Sequence, residues 1–255
     1  MSIYKNLTMS FIALNLLFSV NQGDVFAQEN TSLQIEEIIV TAQKREQSAQ
    51  DVPIAITAMS EELLSSTIRD ISDITGYAPN VVIGSEGRRP GGTDIQIRGI
   101  SAAATTDNSY DSPIAINVDG IYLGTSAGSL LDNFDMERIE ILRGPQGTLF
   151  GKNTVGGVVN VIRTRPTGEF GAKVQATFGE DGRQEFRTVI NTSLSETVAA
   201  KFFATSVQSD GWIPNKTIGG NNGEEDYQAF GATFLFTPNE KFEALLTIET
   251  MDDQS

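Results

Sequence analysis

MERIEILRGPQGTLFGKNTVGGVVNVIRTRP, residues 136–166, divides the chain into two kinds of sequence. Ile139–Leu142 and Val158–Arg163 read as two short strands. Between them, Arg143–Gly157 is rich in glycine and invites a phosphate-loop reading. That reading fails on spacing, because G-x-x-x-x-G-K-[ST] is required. Before Gly151-Lys152, Gln146 stands where the first glycine belongs, and Asn153 stands where a hydroxyl residue belongs. Glycines at tight turns and close packing positions account for the run. Arg143, Arg163 and Arg165 suit desolvated ion pairs or a solvated surface, and the sequence does not choose between these.

Beyond Pro166 the pattern becomes long alternation. Apolar rows run Ala172-Val174-Ala176-Phe178, Phe186-Thr188-Ile190, Val198-Ala200-Phe202-Ala204, Phe230-Ala232-Phe234-Phe236 and Phe242-Ala244-Leu246-Ile248. Their intervening residues are mostly polar. Connections near Ser195–Thr197 and Thr237–Glu240 are short, whereas Ser209–Asp226 is long and polar. About five such segments with alternating loop lengths are the pattern of a transmembrane barrel. A soluble antiparallel sandwich also alternates.

Before Met136 the elements are shorter and mixed. Pro53–Met59 alternates as a half-buried strand. Ser60 offers an N-cap oxygen, with Glu61 and Glu62 in the first helical turn. Leu64, Ile68 and Ile71 make a helical stripe that Pro79 ends. Val81–Ile83 and Asp94–Ile100 read as strands, and Gly84–Gly92 as a mobile loop. Ile114–Leu123 reads as a strand-turn-strand around Asp119-Gly120. This is a compact α+β unit.

The N-terminus reads as a secretory leader. Lys5 precedes the apolar run Leu7–Val20, and Val25-Phe26-Ala27 predicts cleavage before Gln28. A membrane-spanning helix needs roughly 20 apolar residues, and this run is shorter and interrupted. A chain without another such run enters a membrane only as a barrel. Ile35–Val40 is a short apolar run between polar flanks. It suits strand addition to a partner's sheet edge or the first strand of the following unit, equally on local grounds. Thr41–Asp51 reads as charged and flexible.

Composition removes several functions. The net charge of −15 excludes a basic stripe for phosphates, so nucleic acid is not an expected partner. The chain has no cysteine and no histidine, so disulfides, thiolate metal sites, Ser-His-Asp and HExxH chemistry are out. Carboxylates are abundant, but no spacing selects an acid-base pair. Neither an enzyme, a metal nor a cofactor is expected.

Taken in order, these segments resemble the start of a TonB-dependent outer-membrane receptor of the siderophore type. Glu37-Ile38-Ile39-Val40-Thr41-Ala42 is similar to a TonB box, and Asp51–Ala58 to the first plug strand. Ile97-Arg98-Gly99 and Val118–Tyr122 resemble recurring plug motifs. Glu137–Gly151 and Gly156–Ile162 resemble the plug's closing segment. The resemblance implies an α+β plug inside a barrel of about 22 strands. It implies a signal peptide over 1–27, a flexible stretch with the box over 28–50, a plug over 51–166 and roughly the first five barrel strands over 167–255.

It also implies import of a ferric siderophore or similar large nutrient, cobalamin, haem and glycans being other cargoes of the family, across the Gram-negative outer membrane, driven by TonB pulling on residues 37–42, with lipid around the strands and the N-terminus in the periplasm. Implied cargo contacts lie on the apical loops, at Ser85, Arg88, Arg89, Asp107, Asn108 and Tyr110. Five strands leave two unpaired edges, so the chain is expected to be an N-terminal portion or truncated product. The alternative is a soluble periplasmic module that uses the plug alone.

Overall fold

A computed structural model describes residues 38–67, 71–85, 93–101, 111–124, 133–217 and 219–254. The predicted leader, Glu37, Ile68, Arg88, Arg89, Asp107, Asn108 and Tyr110 lie outside these residues.

The strands in chain order are β1 (Ile39–Val40), β2 (Gln47–Ser48), β3 (Ala55–Ser60), β4 (Val81–Ser85), β5 (Thr93–Ile97), β6 (Ile100–Ser101), β7 (Ile114–Val118), β8 (Ile121–Leu123), β9 (Met136–Arg143) and β10 (Gly157–Arg163). Next come β11 (Gly171–Phe178), β12 (Gln184–Ser195), β13 (Val198–Ser209), β14 (Ile213–Pro214), β15 (Asn221–Asn222), β16 (Glu225–Asn239) and β17 (Phe242–Asp253). Helix α1 is Glu61–Thr67 and helix α2 is Gly147–Phe150.

The first five-stranded sheet has the order β3-β9-β10-β7-β8. It is mixed: β10 runs parallel to β7 and antiparallel to β9. Both faces are covered, which is why its strands read as near-continuous apolar runs. One face carries Met59, Ile139, Ile141, Val159, Val161, Ile116 and Val118, packed with Leu64, Ile74, Val81, Ile83, Ile95 and Ile97. The other carries Leu142, Val158 and Ala115, with Val40, Ala42 and Val52 from the N-terminal segment. The glycine-rich run is the β9-to-β10 connection, closed by backbone bonds from Gly144 to Gly156 and from Gln146 to Thr154. Gly157, at φ 152°, leaves room for β9: a Cβ there would lie 2.3 Å from the Leu142 carbonyl oxygen.

Turn chemistry sets the hairpins. Asp119 and Gly120, at φ 50° and 84°, join β7 to β8, the doubly positive pattern of a two-residue hairpin. Arg98 and Gly99 do the same, at φ 53° and 78°, between β5 and β6. The single strand expected over Asp94–Ile100 is therefore two strands and a turn. Glycine at the second turn position favours reversal over continuation there. The helical stripe is also shorter than expected: α1 stops at Thr67, and Ile71 belongs to a separate 3-10 turn, Ile71–Ile74.

The second five-stranded sheet, here the wall, is an antiparallel meander with the order β11-β12-β13-β16-β17. β12, β13 and β17 have 12 residues each and β16 has 15, enough for the roughly 9–11 residues of a tilted membrane strand. Its apolar rows fall on one face, as the alternation requires. That face is open: Val174 is 74% exposed, and Phe230 and Ile248 are each 61% exposed. Edge-to-face rings stud it, with Phe178 and Phe186 at 5.6 Å and Phe202 and Phe234 at 6.1 Å between centroids. Among the described residues no helix is long and apolar enough to cross a membrane.

Candidate functional site: the N-terminal hairpin and the seam with the wall

Two places join parts of the chain that are remote in sequence. The first is the N-terminal hairpin. β1 pairs antiparallel with β2, Ile39 opposite Ser48 and Val40 opposite Gln47. The Ala49 N–H donates to the Ile38 carbonyl at 2.9 Å. Thr41–Asp51, expected to be flexible, is instead folded into this hairpin and its turns, because burying Val40 and Ala42 against the first sheet stabilises it. Both are fully buried, while Ile38 and Ile39 are exposed. Lys44 reaches over the Phe150 ring at 4.4 Å.

Thr41 sits between the two buried residues and is bonded to the sheet. Its N–H donates to Glu140 Oε1 at 2.7 Å, and its hydroxyl donates to the same oxygen at 3.2 Å. Glu140 is wholly buried in the middle of β9. Arg138 Nε donates to Oε1 at 2.9 Å, and Asn160 Nδ2 donates to Oε2 at 3.1 Å. Arg138 also pairs with Glu137. A buried carboxylate is tolerable only when paired and hydrogen-bonded in this way.

The second place is the seam between the first sheet and the wall. The polar row of each wall strand faces the first sheet, and cations and carboxylates meet there. Arg163 donates from Nε to Asp119 at 2.6 Å and from Nη1 to Glu249 of β17 at 2.5 Å. Arg165 pairs with Glu243, six residues earlier on β17. Lys201 of β13, 1% exposed, reaches Asp135 at 2.6 Å and also donates to the Thr164 carbonyl. Lys173 of β11 bonds the Phe134 carbonyl at 3.2 Å and Glu61 at 3.3 Å.

Burial of the Arg163 guanidinium opposes its charge. Asp119 first and then Glu249 more than offset this, so the group is held above arginine's ordinary range. A raised group keeps its stabilising charge until pH passes its folded value. Alkaline conditions that a cell can meet therefore do not open this contact. Beside the ion pairs lies a crevice of about 360 Å³, lined on one side by Val118, Ile121 and Met136 and on the other by Phe203 and Met251.

Of the residues singled out in the sequence, the structure gathers Ile38 to Ala42 in the hairpin and puts Arg163 and Arg165 on the seam. Arg143 lies elsewhere, donating to the Pro79 carbonyl at 3.1 Å. Ser85 ends β4, its backbone opposite Thr93. Glu140, Lys201, Asp135, Glu243 and Glu249 were missed. The available signal was a charge inside an apolar strand, Ile139-Glu140-Ile141, and carboxylates on the polar row of β17.

The fold and the seam define a class: a plug-type α+β unit held by ion pairs against barrel-type antiparallel strands. Residues 48–158 match the family described as TonB-dependent Receptor Plug Domain. The iron-regulated outer membrane virulence protein of Vibrio cholerae is 31% identical over 205 residues, which cover 78% of this chain and 29% of that protein. The ferrichrome outer membrane transporter/phage receptor of Escherichia coli K12 is 26% identical over 202 residues, 79% of this chain and 26% of that protein.

Among solved structures, the ferric yersiniabactin uptake receptor of Yersinia pestis superimposes with a TM-score of 0.68 at 20% identity. The match covers 78% of this chain and 31% of that one. The pyoverdine outer membrane receptor of Pseudomonas aeruginosa gives 0.69 at 18%, covering 84% and 30%. The chain belongs to the TonB-dependent outer-membrane receptors. It spans under a third of the length of these relatives.

Proposed function

We propose that this chain is the plug and first wall strands of an importer that carries a ferric siderophore or a similar iron chelate across the Gram-negative outer membrane. Residues 37–42 serve as the strand that TonB binds and pulls. The observation that carries this reading is the N-terminal hairpin: an apolar strand with two exposed isoleucines, Ile38 and Ile39, docked on a plug that is itself ion-paired to the wall. An exposed strand edge next to a plug is the geometry in which β-strand addition applies force to that plug.

The names of the relatives support the cargo class, since they speak of iron regulation, ferrichrome and ferric yersiniabactin. The absence of histidine and cysteine from the chain fits a chelate recognised whole rather than a bare ion. In this reading residues 1–27 are the signal peptide, 28–50 the coupling stretch, 51–166 the plug and 167–255 the wall facing lipid. Ser85, Arg88, Arg89, Asp107, Asn108 and Tyr110 are the residues assigned to the cargo in this reading.

The test is Ile39→Pro in the full-length receptor, at an exposed position of β1. Import of labelled ferric chelate is expected to fall more than about tenfold, because proline removes a donor from the added strand. Binding of the chelate at the cell surface should be unchanged. Undiminished import would overturn the reading.

A further inference from the structure

The two faces of the plug sheet are built differently. The centre of the face under α1 is apolar, with Ile139 and Ile141 of β9, Val159 and Val161 of β10, and Ile116 and Val118 of β7. The face under the N-terminal hairpin is crossed by a polar row. Register sets Glu140 of β9 opposite Asn160 of β10, and Asn160 opposite Asn117 of β7. All three side chains are buried. The Asn117 Oδ1 and Gln47 Oε1 oxygens are buried with no hydrogen-bond partner among the described residues. A permanent core avoids such groups, because each unpaired one is destabilising while it stays dry. Lifting the hairpin wets the row, and water then satisfies these oxygens. The polar row therefore makes this interface easier to separate than the apolar face opposite.

Among the described residues, the hydrogen bonds that tie the hairpin to the sheet converge on one residue. Thr41 receives the Glu140 carboxylate on both its N–H and its hydroxyl, and Arg138 Nη2 reaches the Thr41 oxygen at 3.3 Å. Bonds to a buried charge are the strong kind. They keep Val40 and Ala42 in their pockets.

We propose that Glu140 is a latch that withholds residues 40–42 from the periplasmic partner and so sets how much of the coupling strand is available. Glu140 is a positioning residue that acts through Thr41. The inference rests on the proposed function for the identity of the partner, a protein offering a free β-sheet edge. With the latch closed, only Ile38 and Ile39 of the described part of that strand are open to it. The partner's apparent affinity is then reduced by the fraction of molecules in which the latch is open.

These 255 residues hold no cysteine, so Ala42→Cys, made in a receptor whose remaining cysteines have been replaced by serine, places one thiol at a fully buried position and reports opening directly. In the full-length receptor in outer membranes, maleimide should label this thiol slowly. Labelling should be about tenfold faster when Glu140→Ala or Thr41→Pro is added, the size expected for losing a hydrogen bond to a charge. Thr41→Pro removes both the N–H and the hydroxyl that donate to Glu140 and leaves Glu140 paired with Arg138 and Asn160, so it separates an opened latch from a misfolded plug. Unchanged labelling in both variants overturns the latch.

The second readout is binding of the TonB periplasmic domain to the Glu140→Ala receptor, expected to tighten by a similar factor. Faster labelling with unchanged TonB affinity overturns the role of the latch in coupling. The import reading would then stand or fall on the Ile39→Pro experiment alone.

Discussion

The two five-stranded sheets obey the same two-residue alternation and resolve it in opposite ways. In the plug sheet both faces are covered, and the largest side chains, such as Ile139, Ile141 and Leu142, are fully buried. In the wall the apolar rows point away from the protein and stay open, while the polar rows turn inward to meet the plug. Burial in water drives apolar groups toward a core. A sheet that does the reverse is built for an apolar solvent, and its inward charges are free to bind a polar partner surface. The seam is therefore ionic where an ordinary sheet-on-sheet contact is apolar.

Substitutions on each surface break this comparison to different degrees. The largest effect belongs to the plug core. Ile141→Ala should lower the free energy of plug opening, read by hydrogen exchange in the full-length receptor, by about 3–5 kcal/mol through lost burial and a cavity. A cost below about 1 kcal/mol would mean this face is not a packed core.

Next is the outer face of the wall. Leu246→Arg should cost about 2–4 kcal/mol of folding free energy in lipid if the residue sits near the bilayer midplane. The same change on a water-exposed sheet costs within about 0.5 kcal/mol. Folding titrations into lipid vesicles distinguish the two, and the small value would return the wall to a soluble sandwich.

The smallest effect is at the rim of the seam. Arg165 and Glu243 are each about half exposed, so Arg165→Gln should change plug stability by under about 1 kcal/mol. A larger loss would show that water is excluded there by more of the wall than these strands supply.

Much of this architecture was legible in the residues. Alternation placed the wall strands and their faces, although β12, β13, β16 and β17 each run several residues further than the apolar rows alone indicated. Ladder bonds continue where side chains turn polar, as at Gln208 opposite Asp226. Asp119-Gly120 announced its hairpin. Arg98-Gly99 did not, because the apolar residues on either side read as one strand.

The hairpin at Ile39–Ser48 was less legible still. Ile-Ile-Val between polar flanks describes a free strand and a docked one equally well. What decides is a buried carboxylate 99 residues away.

The sequence by itself determined which residues share a face, where the chain turns, and that the wall's apolar rows need an apolar surrounding. These follow from the two-residue period and the φ preferences of single residues, which are local properties. Only the tertiary structure decided which charges meet: Thr41 with Glu140, Lys201 with Asp135, and Arg163 with Glu249 across 86 residues. An ion pair requires its partners within a few ångströms. That proximity is set by strand register and by how the plug rests against the wall, and no local pattern encodes either.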